Sequence, residues 1–262
     1  MSNNSSDSDN SNDSPAGKTW PLPLWIAHRG AGKLAPENTL AAFRLGARHG
    51  YRAFECDVKL SRDGIPFLLH DATLERTSTG RGAAGEQDWA ALARLDAGSW
   101  HSPAHAGEPL PSLEAVAAFI IGQGMAINIE IKPTPGQERQ TGEVVGREVL
   151  RLWAGSGQVL PLFSSFQPEA LRGARDSAPE VLRGLLLDKL RPEWLDEAAE
   201  LGCSAVITNF RLMDEATLAA IQAAGMKALV YTVNDAKAAS RLIAAGIDGI
   251  ITDAVDRFPP SR

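Results

Sequence analysis

The sequence predicts an α/β fold of the (β/α)8 TIM-barrel type, and three observations carry that prediction. Short apolar runs of strand length alternate with longer helical patterns through most of the 262 residues. When the return strand of one hairpin is set aside, eight such strands remain, and eight parallel repeats close into a barrel. The ionisable residues of the first half gather at the carboxyl ends of these strands, where barrels place their chemistry. An open doubly wound sheet is the competing arrangement, but no Gly-x-Gly-x-x-Gly turn follows the first strand to support it.

Residues 1–17, MSNNSSDSDNSNDSPAG, have almost no apolar content and cannot offset the entropy of ordering. A disordered tail is expected over 1–19, and a single catalytic barrel domain over 20–262. Leu24 to His28 reads as a short buried strand running into the flexible turn Arg29-Gly30-Ala31-Gly32. Pro36 and Glu37 then open an amphipathic helix that Gly50 closes, with proline in the first turn and an acid at the positive end.

The stretch Ala53 to Asp71 is the centre of the pattern. Glu55 and Asp57 are two apart in a strand, so their side chains share a face, while Cys56 and Val58 take the other. Asp63-Gly64 between alternating runs is a strong hairpin signal. A two-residue loop there pairs Arg62 with Ile65 and sets Asp57 opposite His70, with β-carbons about 5 Å apart. Glu55, Asp57 and His70 are therefore expected side by side.

A loop-rich insertion follows from Ala72 to Pro111, carrying Trp89, Trp100, His101 and His105. Ser112 to Gln123 reads as a helix and Ala126 to Ile131 as a strand. Further strands are expected at 160–164, 182–187, 205–208, 228–233 and 249–252, with helices at 138–153, 192–201, 215–224 and 236–245 between them. A last, short helix after Asp253 would be cut off by Pro259-Pro260.

The net charge of −6 argues against nucleic acid or an anionic membrane as partner. No apolar run approaches the roughly 20 residues of a membrane span, and no basic-then-apolar signal pattern opens the chain. The expectation is a cytoplasmic protein with no stable membrane anchor. Cys56 and Cys203 lie in apolar segments without metal-binding spacing, and read as reduced core residues.

Two carboxylates on one buried face demand a compensating positive charge, since desolvating an unpaired carboxylate costs several kcal/mol, of order 5. Oxygen donors suit a hard divalent cation, Mg2+ or Ca2+. The bland alternative is solvated carboxylates at a strand end, paired with surface Lys and Arg. Glu130 and Lys132 alternate with Ile129 and Ile131, so this charged pair also faces the barrel interior, as a salt bridge or as part of a site. Read together, Glu55, Asp57 and Glu130 supply three oxygen donors to one cation. Arg29 and Lys132 supply charge for an anion beside it, and His28 and His70 form an acid and base pair. Cleavage of a phosphodiester needs such a set, because charge must be neutralised on the nonbridging oxygens and protons moved at both ends. Asn209, Ser164 and Tyr231 are further candidates for the pocket wall. His49, at a helix end, and His101 and His105, in the insertion, read as structural or loop residues.

With these residues in hand, the chain resembles the glycerophosphodiester phosphodiesterase family, within the group of phosphatidylinositol-specific phospholipase-C-like barrels. The resemblance rests on AHRGAGKLAPENTLAAF at 27–43, FECDVKLSRDGIPFLLHD at 54–71, NIEIK at 128–132, SSF at 164–166, YTVN at 231–234 and ITD at 251–253. It implies hydrolysis of glycerophosphodiesters to sn-glycerol 3-phosphate and an alcohol. By the same resemblance His28 and His70 are the catalytic pair, Glu55, Asp57 and Glu130 hold the metal, and Arg29 and Lys132 bind phosphate. Residues 72–111 match the family's small extra subdomain. Attack by the glycerol 2-hydroxyl and attack by water are both compatible with these roles. Tyr231 stands where relatives often carry Trp, which bears on the alcohol preference. Two alternatives to the diesterase are a lysophospholipase D acting on lysolipids, and a noncatalytic barrel that binds glycerophosphodiesters; the latter would be expected to have lost one of the acids or histidines, and none is missing.

Overall fold

The computed structural model describes residues 18–258 and residue 260. The expected tail, up to residue 17, and Pro259 lie outside the described residues. The strands are β1 (Trp25–Ala27), β2 (Ala53–Leu60), β3 (Pro66–Leu68), β4 (Ala126–Ile131), β5 (Leu162–Ser165), β6 (Leu182–Leu187), β7 (Ala205–Asn209), β8 (Lys227–Tyr231) and β9 (Gly249–Thr252). The helices are α1 (Leu40–Arg48), α2 (Trp89–Leu92), α3 (Leu113–Gly122), α4 (Glu138–Trp153), α5 (Pro168–Ser177), α6 (Trp194–Glu200), α7 (Glu215–Ala223) and α8 (Ala236–Ala245).

All strands except β3 run parallel, in the order β1-β2-β4-β5-β6-β7-β8-β9, and the pairing of Ile26 with Ile251 closes the ring. This is the expected TIM barrel. Strand alternation sorts its side chains into an inside and an outside. Ile26, Ala53, Leu162, Leu182, Ala205 and Leu229 point inward and fill the amino-terminal half of the barrel, with Trp20 and Leu22 packed against them. The residues outside, Val58, Ile127, Ile129, Ile131 and Phe163 among them, pack on Val116, Ile120, Val145 and Val149 of α3 and α4. Each such buried aliphatic side chain stabilises by about 1.5–3 kcal/mol. Further along the same strands the inward positions turn polar: Glu55 and Asp57 above Ala53, then Asn128 and Glu130 above Ala126.

Three elements depart from expectation. The first helix begins at Leu40 rather than Pro36, because Asn38 has φ +58°, outside the helical range, and Thr39 caps the helix by accepting from the Ala42 N–H. Glu37 and Asn38 are thereby left in a loop that reaches the barrel mouth. The hairpin loop has three residues, 62–64, since Ser61 N–H donates to Ile65 O and Gly64, at φ +80°, takes the left-handed position. Val58 consequently pairs with Leu68, Asp57 stands opposite Leu69 rather than His70, and His70 follows the end of the ladder. The segment after Asp253 makes turns at 255–257 rather than a helix; the prolines that follow offer no N–H to continue one. The expected alternation holds between β5 and β6 as well, where α5 opens with Pro168.

Residues 72–111 carry a small apolar centre of their own, in which Leu74, Ala84, Leu92, Ala97 and Leu110 meet Phe67 and Leu69 of the hairpin. Trp100 remains 41% exposed. On its return this segment runs beside β3: Leu68 N–H donates to Pro111 O and Phe67 bridges to Ser112. Among the described residues no helix is long and apolar enough to cross a membrane.

Candidate active site

His28 leaves the carboxyl end of β1 and points inward. Its Nδ1 lies 2.6 Å from Asp253 Oδ1, just past β9. An ionised carboxylate only accepts, so Nδ1 carries the proton and Nε2, 3.7 Å from Glu55 Oε2, is the free nitrogen. Asp253 is itself held from two sides: Asn234 Nδ2 donates to its Oδ2 at 2.9 Å, and its own N–H donates to Asn234 Oδ1 at 2.9 Å. Burial would raise the Asp253 pKa, but the bond and charge of His28, with the bond from Asn234 and the charge of Lys33, together outweigh it and hold the carboxyl down at about 2. It therefore stays an acceptor at neutral pH.

Arg29 follows at φ +50°, a left-handed conformation that costs a non-glycine residue about 1–2 kcal/mol. The conformation aims both ends of the residue at acids. Its N–H donates to Glu55 Oε2 at 3.1 Å, Nη1 to Glu37 Oε1 at 2.8 Å, and Nε sits 3.1 Å from Asp57 Oδ2. Asn38, also left-handed, donates from Nδ2 to Asp57 Oδ2 at 2.8 Å and accepts the Asp57 N–H at 3.1 Å. The loop that was expected to be helix thus orients Asp57.

Glu55, Asp57 and Glu130 each offer an oxygen, all within 4.8 Å of one another, and all three residues are buried. Lys132 Nζ donates to Glu130 Oε1 at 2.9 Å and stands 3.7 Å from Asp57 Oδ1. Glu55 Oε1 and Asp57 Oδ1 are buried oxygens without a hydrogen-bond donor. Burial first, then repulsion from Asp57 and Glu130, pushes Glu55 well above the usual carboxylate range. Burial and Asp57 push Glu130 up to about 7. Asp57 goes the other way: burial opposes ionisation, but Arg29, Lys132 and His70 together hold it low. Two orphaned oxygens and two carboxyls with raised pKa values describe a cluster one positive charge short, and this donor set fits a hard divalent cation.

His70 completes the rim. Its Nδ1 lies 2.7 Å from Asp71 Oδ1, so Nδ1 again carries the proton and Nε2 is free. Burial lowers its pKa, a shift that Asp57 opposes. His28, Arg29, Glu55, His70, Asn128, Glu130 and Lys132 line a cavity of 190 Å³ together with Phe166, Leu186, Tyr231, Thr232 and Ile251. Tyr231 donates from its hydroxyl to Leu187 O at 3.0 Å and meets Phe166 edge-on, so its ring rather than its hydroxyl forms the wall.

Every acid, cation and imidazole expected from the sequence is thus at one barrel mouth, although His70 arrives past the strand end. Asn209 and Ser164 are not among the residues that line the cavity; Asn209 Oδ1 accepts from Arg211 N–H in a turn, and Ser164 is buried beside Glu130 as its partner on the neighbouring strand. His49 caps the C-terminus of α1, while His101 and His105 bond to Lys33 O and Ser102 Oγ within loops. Cys56 and Cys203 are buried free thiols. Sequence reasoning missed Glu37, Asn38, Asp71, Arg76, Asn234 and Asp253. Only Asp253 had a signal, because it continues the inward alternation of Gly249 and Ile251.

Residues 28–257 match the sequence profile of the glycerophosphoryl diester phosphodiesterase family. The chain is 32% identical over 235 residues to the glycerophosphodiester phosphodiesterase of Caldanaerobacter subterraneus, covering 88% of this chain and 93% of that protein. Among solved structures it is similar to an Oleispira antarctica phosphodiesterase in complex with the product sn-glycerol-3-phosphate, with a TM-score of 0.84 and 35% identity over 90% of this chain and 95% of that one. A glycerophosphodiester phosphodiesterase from Agrobacterium tumefaciens superposes with a TM-score of 0.76 and 30% identity, over 92% of this chain and 100% of the other.

Proposed function

Since the chain belongs to the glycerophosphoryl diester phosphodiesterase family, we propose that it hydrolyses glycerophosphodiesters to sn-glycerol 3-phosphate and an alcohol, with a divalent cation at Glu55, Asp57 and Glu130 and with His28 and His70 moving the protons. The observation that carries this reading is the cavity itself, lined by two imidazoles bonded through Nδ1 to carboxylates, by two cations, and by Glu55 and Glu130, whose oxygens converge with that of Asp57. Residues 20–262 are read as one catalytic unit, with 72–111 as its insertion.

Each residue has a task that its surroundings support. Arg29 and Lys132 bind the nonbridging oxygens of the diester, Arg29 as a planar fork and Lys132 as a point charge. Mg2+ or Ca2+, when bound, supplies further charge neutralisation at the phosphate. One imidazole, entering neutral, takes the proton of the attacking hydroxyl at Nε2: attack by water gives glycerol 3-phosphate directly, whereas attack by the glycerol 2-hydroxyl gives a cyclic phosphate that water then opens with the roles of the two imidazoles reversed. The other, entering protonated, gives its Nε2 proton to the departing alkoxide. The carboxylates behind them, Asp253 and Asp71, stabilise the imidazolium form and keep each ring aimed. Phe166 and Tyr231 enclose the apolar side of the substrate.

The test is release of glycerol 3-phosphate from glycerophosphocholine, measured after EDTA treatment and after adding back Mg2+ or Ca2+. Turnover that disappears with EDTA and returns with metal is the expected result. Absence of turnover with every divalent metal would overturn the proposal, and preferential cleavage of lysophosphatidylcholine would move it to lysolipids.

A further inference from the structure

The two imidazoles differ in what holds their carboxylates. Asp253, behind His28, is fixed by Asn234 from the loop after β8, so the barrel supplies its own support. Asp71, behind His70, has no such partner from the barrel strands. It is gripped by Arg76, which lies in the inserted segment: Nε donates to Asp71 Oδ2 at 2.6 Å and Nη2 to Oδ1 at 2.9 Å. The same guanidinium turns its other edge to Glu37, with Nη1 on Oε2 and Nη2 on Oε1, both at 2.8 Å.

The oxygens involved are those that serve the cavity. Asp71 Oδ1 accepts His70 Nδ1–H, and Glu37 Oε1 accepts Arg29 Nη1–H. Arg76 Nη2 thus donates to both oxygens on which His70 and Arg29 depend. We propose that Arg76 is a positioning residue through which the insertion sets the geometry of both sides of the cavity, aiming the His70 imidazole through Asp71 and the Arg29 guanidinium through Glu37. The inference rests on the roles proposed above for His70 and Arg29.

The chemistry of the bridge explains why arginine is required. A planar guanidinium can engage two carboxylates by two edges at once, which a single ammonium cannot. Arg76 and Asp71 are 44% and 29% exposed and Glu37 is 14% exposed, so the guanidinium bridges at the surface and is not a core staple, and such ion pairs contribute little to stability. Arg76 also keeps both acids ionised. Its hydrogen bonds are the main cause that holds Asp71 far below the usual carboxylate range. At Glu37 burial opposes ionisation, and the bonds from Arg76, with Arg29, outweigh it.

The experiment is a pair of mutant cycles on glycerophosphocholine hydrolysis at saturating metal, with Arg76→Ala, Arg76→Lys, Asp71→Asn, Glu37→Gln and the two doubles containing Arg76→Ala. Loss of an orienting partner typically costs about 10–100-fold, so Arg76→Ala should lower kcat by that amount through His70 and raise KM several-fold through Arg29, while its Tm stays near wild type. In the Asp71→Asn background Arg76→Ala should change kcat by less than about threefold, and in the Glu37→Gln background it should change KM by less than about threefold. Arg76→Lys should resemble Arg76→Ala. Wild-type kinetics in Arg76→Ala, full rescue by lysine, or additive effects in both cycles would each overturn the inference. A wild-type protein without turnover would instead end the functional reading, and ring 15N NMR of His70 then decides this one. A fixed Nδ1–H tautomer that becomes a mixture in Arg76→Ala supports it, and an unchanged tautomer refutes it.

Discussion

Gly32→Ala is expected to lower stability and activity together. Gly32 has φ +57°, and a β-carbon there would lie 2.1 Å from the carbonyl oxygen of Asp253 and 2.3 Å from its Cα. Ordinary contact begins near 3.4 Å, so the Asp253 backbone must retreat by about 1 Å. The left-handed conformation costs alanine about 1–2 kcal/mol and overpacking typically adds about 1–3 kcal/mol. The expected loss is therefore about 2–5 kcal/mol, read as a lowered urea midpoint at constant m-value. Because Asp253 Oδ1 is 2.6 Å from His28 Nδ1, the same retreat misplaces the imidazole, and a displacement of about 1 Å can cost about 100-fold in rate. Gly64→Ala is the control: at φ +80° it also lies in the left-handed region, but a β-carbon there meets nothing within 4 Å. It should lose about 1–2 kcal/mol and keep its kcat. Equal losses in the two variants, or an unchanged kcat in Gly32→Ala, would refute the link between the glycine turn and His28.

Three further outcomes are expected. Asp253→Asn should reduce kcat by about 100- to 10,000-fold, as loss of the carboxylate behind a catalytic imidazole does elsewhere; activity near wild type would remove Asp253 from the proposed role. His28→Ala and His70→Ala should each lower kcat by about 100-fold or more while circular dichroism stays native, and a variant with normal turnover would disprove that histidine's assignment. Glu55→Gln should raise the metal concentration needed for half-maximal activity and shrink the rise in Tm that Mg2+ or Ca2+ gives the wild type, since a ligand that binds the native state at about 100 times its Kd adds about 2.7 kcal/mol. An identical metal titration would rule out Glu55 as a ligand.

Most of the barrel was legible in the sequence because alternation is local. Glu55 and Asp57 share a face by strand geometry alone, and Glu130 with Lys132 does so for the same reason. Register across a turn was not legible to that accuracy. Asp63-Gly64 suits a two-residue loop, yet Gly64 takes the left-handed position of a three-residue one, and this single step changed the partner of Asp57 from His70 to Leu69. His70 still reaches the cavity because the chain leaves the ladder after Leu69. Pro36 and Glu37 carry helix-start chemistry that the left-handed Asn38 overrides, with its side chain spent on Asp57. The supporting residues were the least visible. Arg76 lies in an irregular segment without periodicity, and nothing local announces that its guanidinium meets acids 39 and 5 positions away.

The strand β3 has a consequence for solubility. A closed ring has no free margin, but a hairpin hung on it creates one, and unpaired backbone along such a margin invites pairing with another molecule. Here the returning chain seals the margin through Pro111 and Ser112. The segment between Ala72 and Pro111 therefore does double duty: its return closes the adhesive edge, and its Arg76, His101 and Glu108 tie it to the loop and helix that follow the first strand.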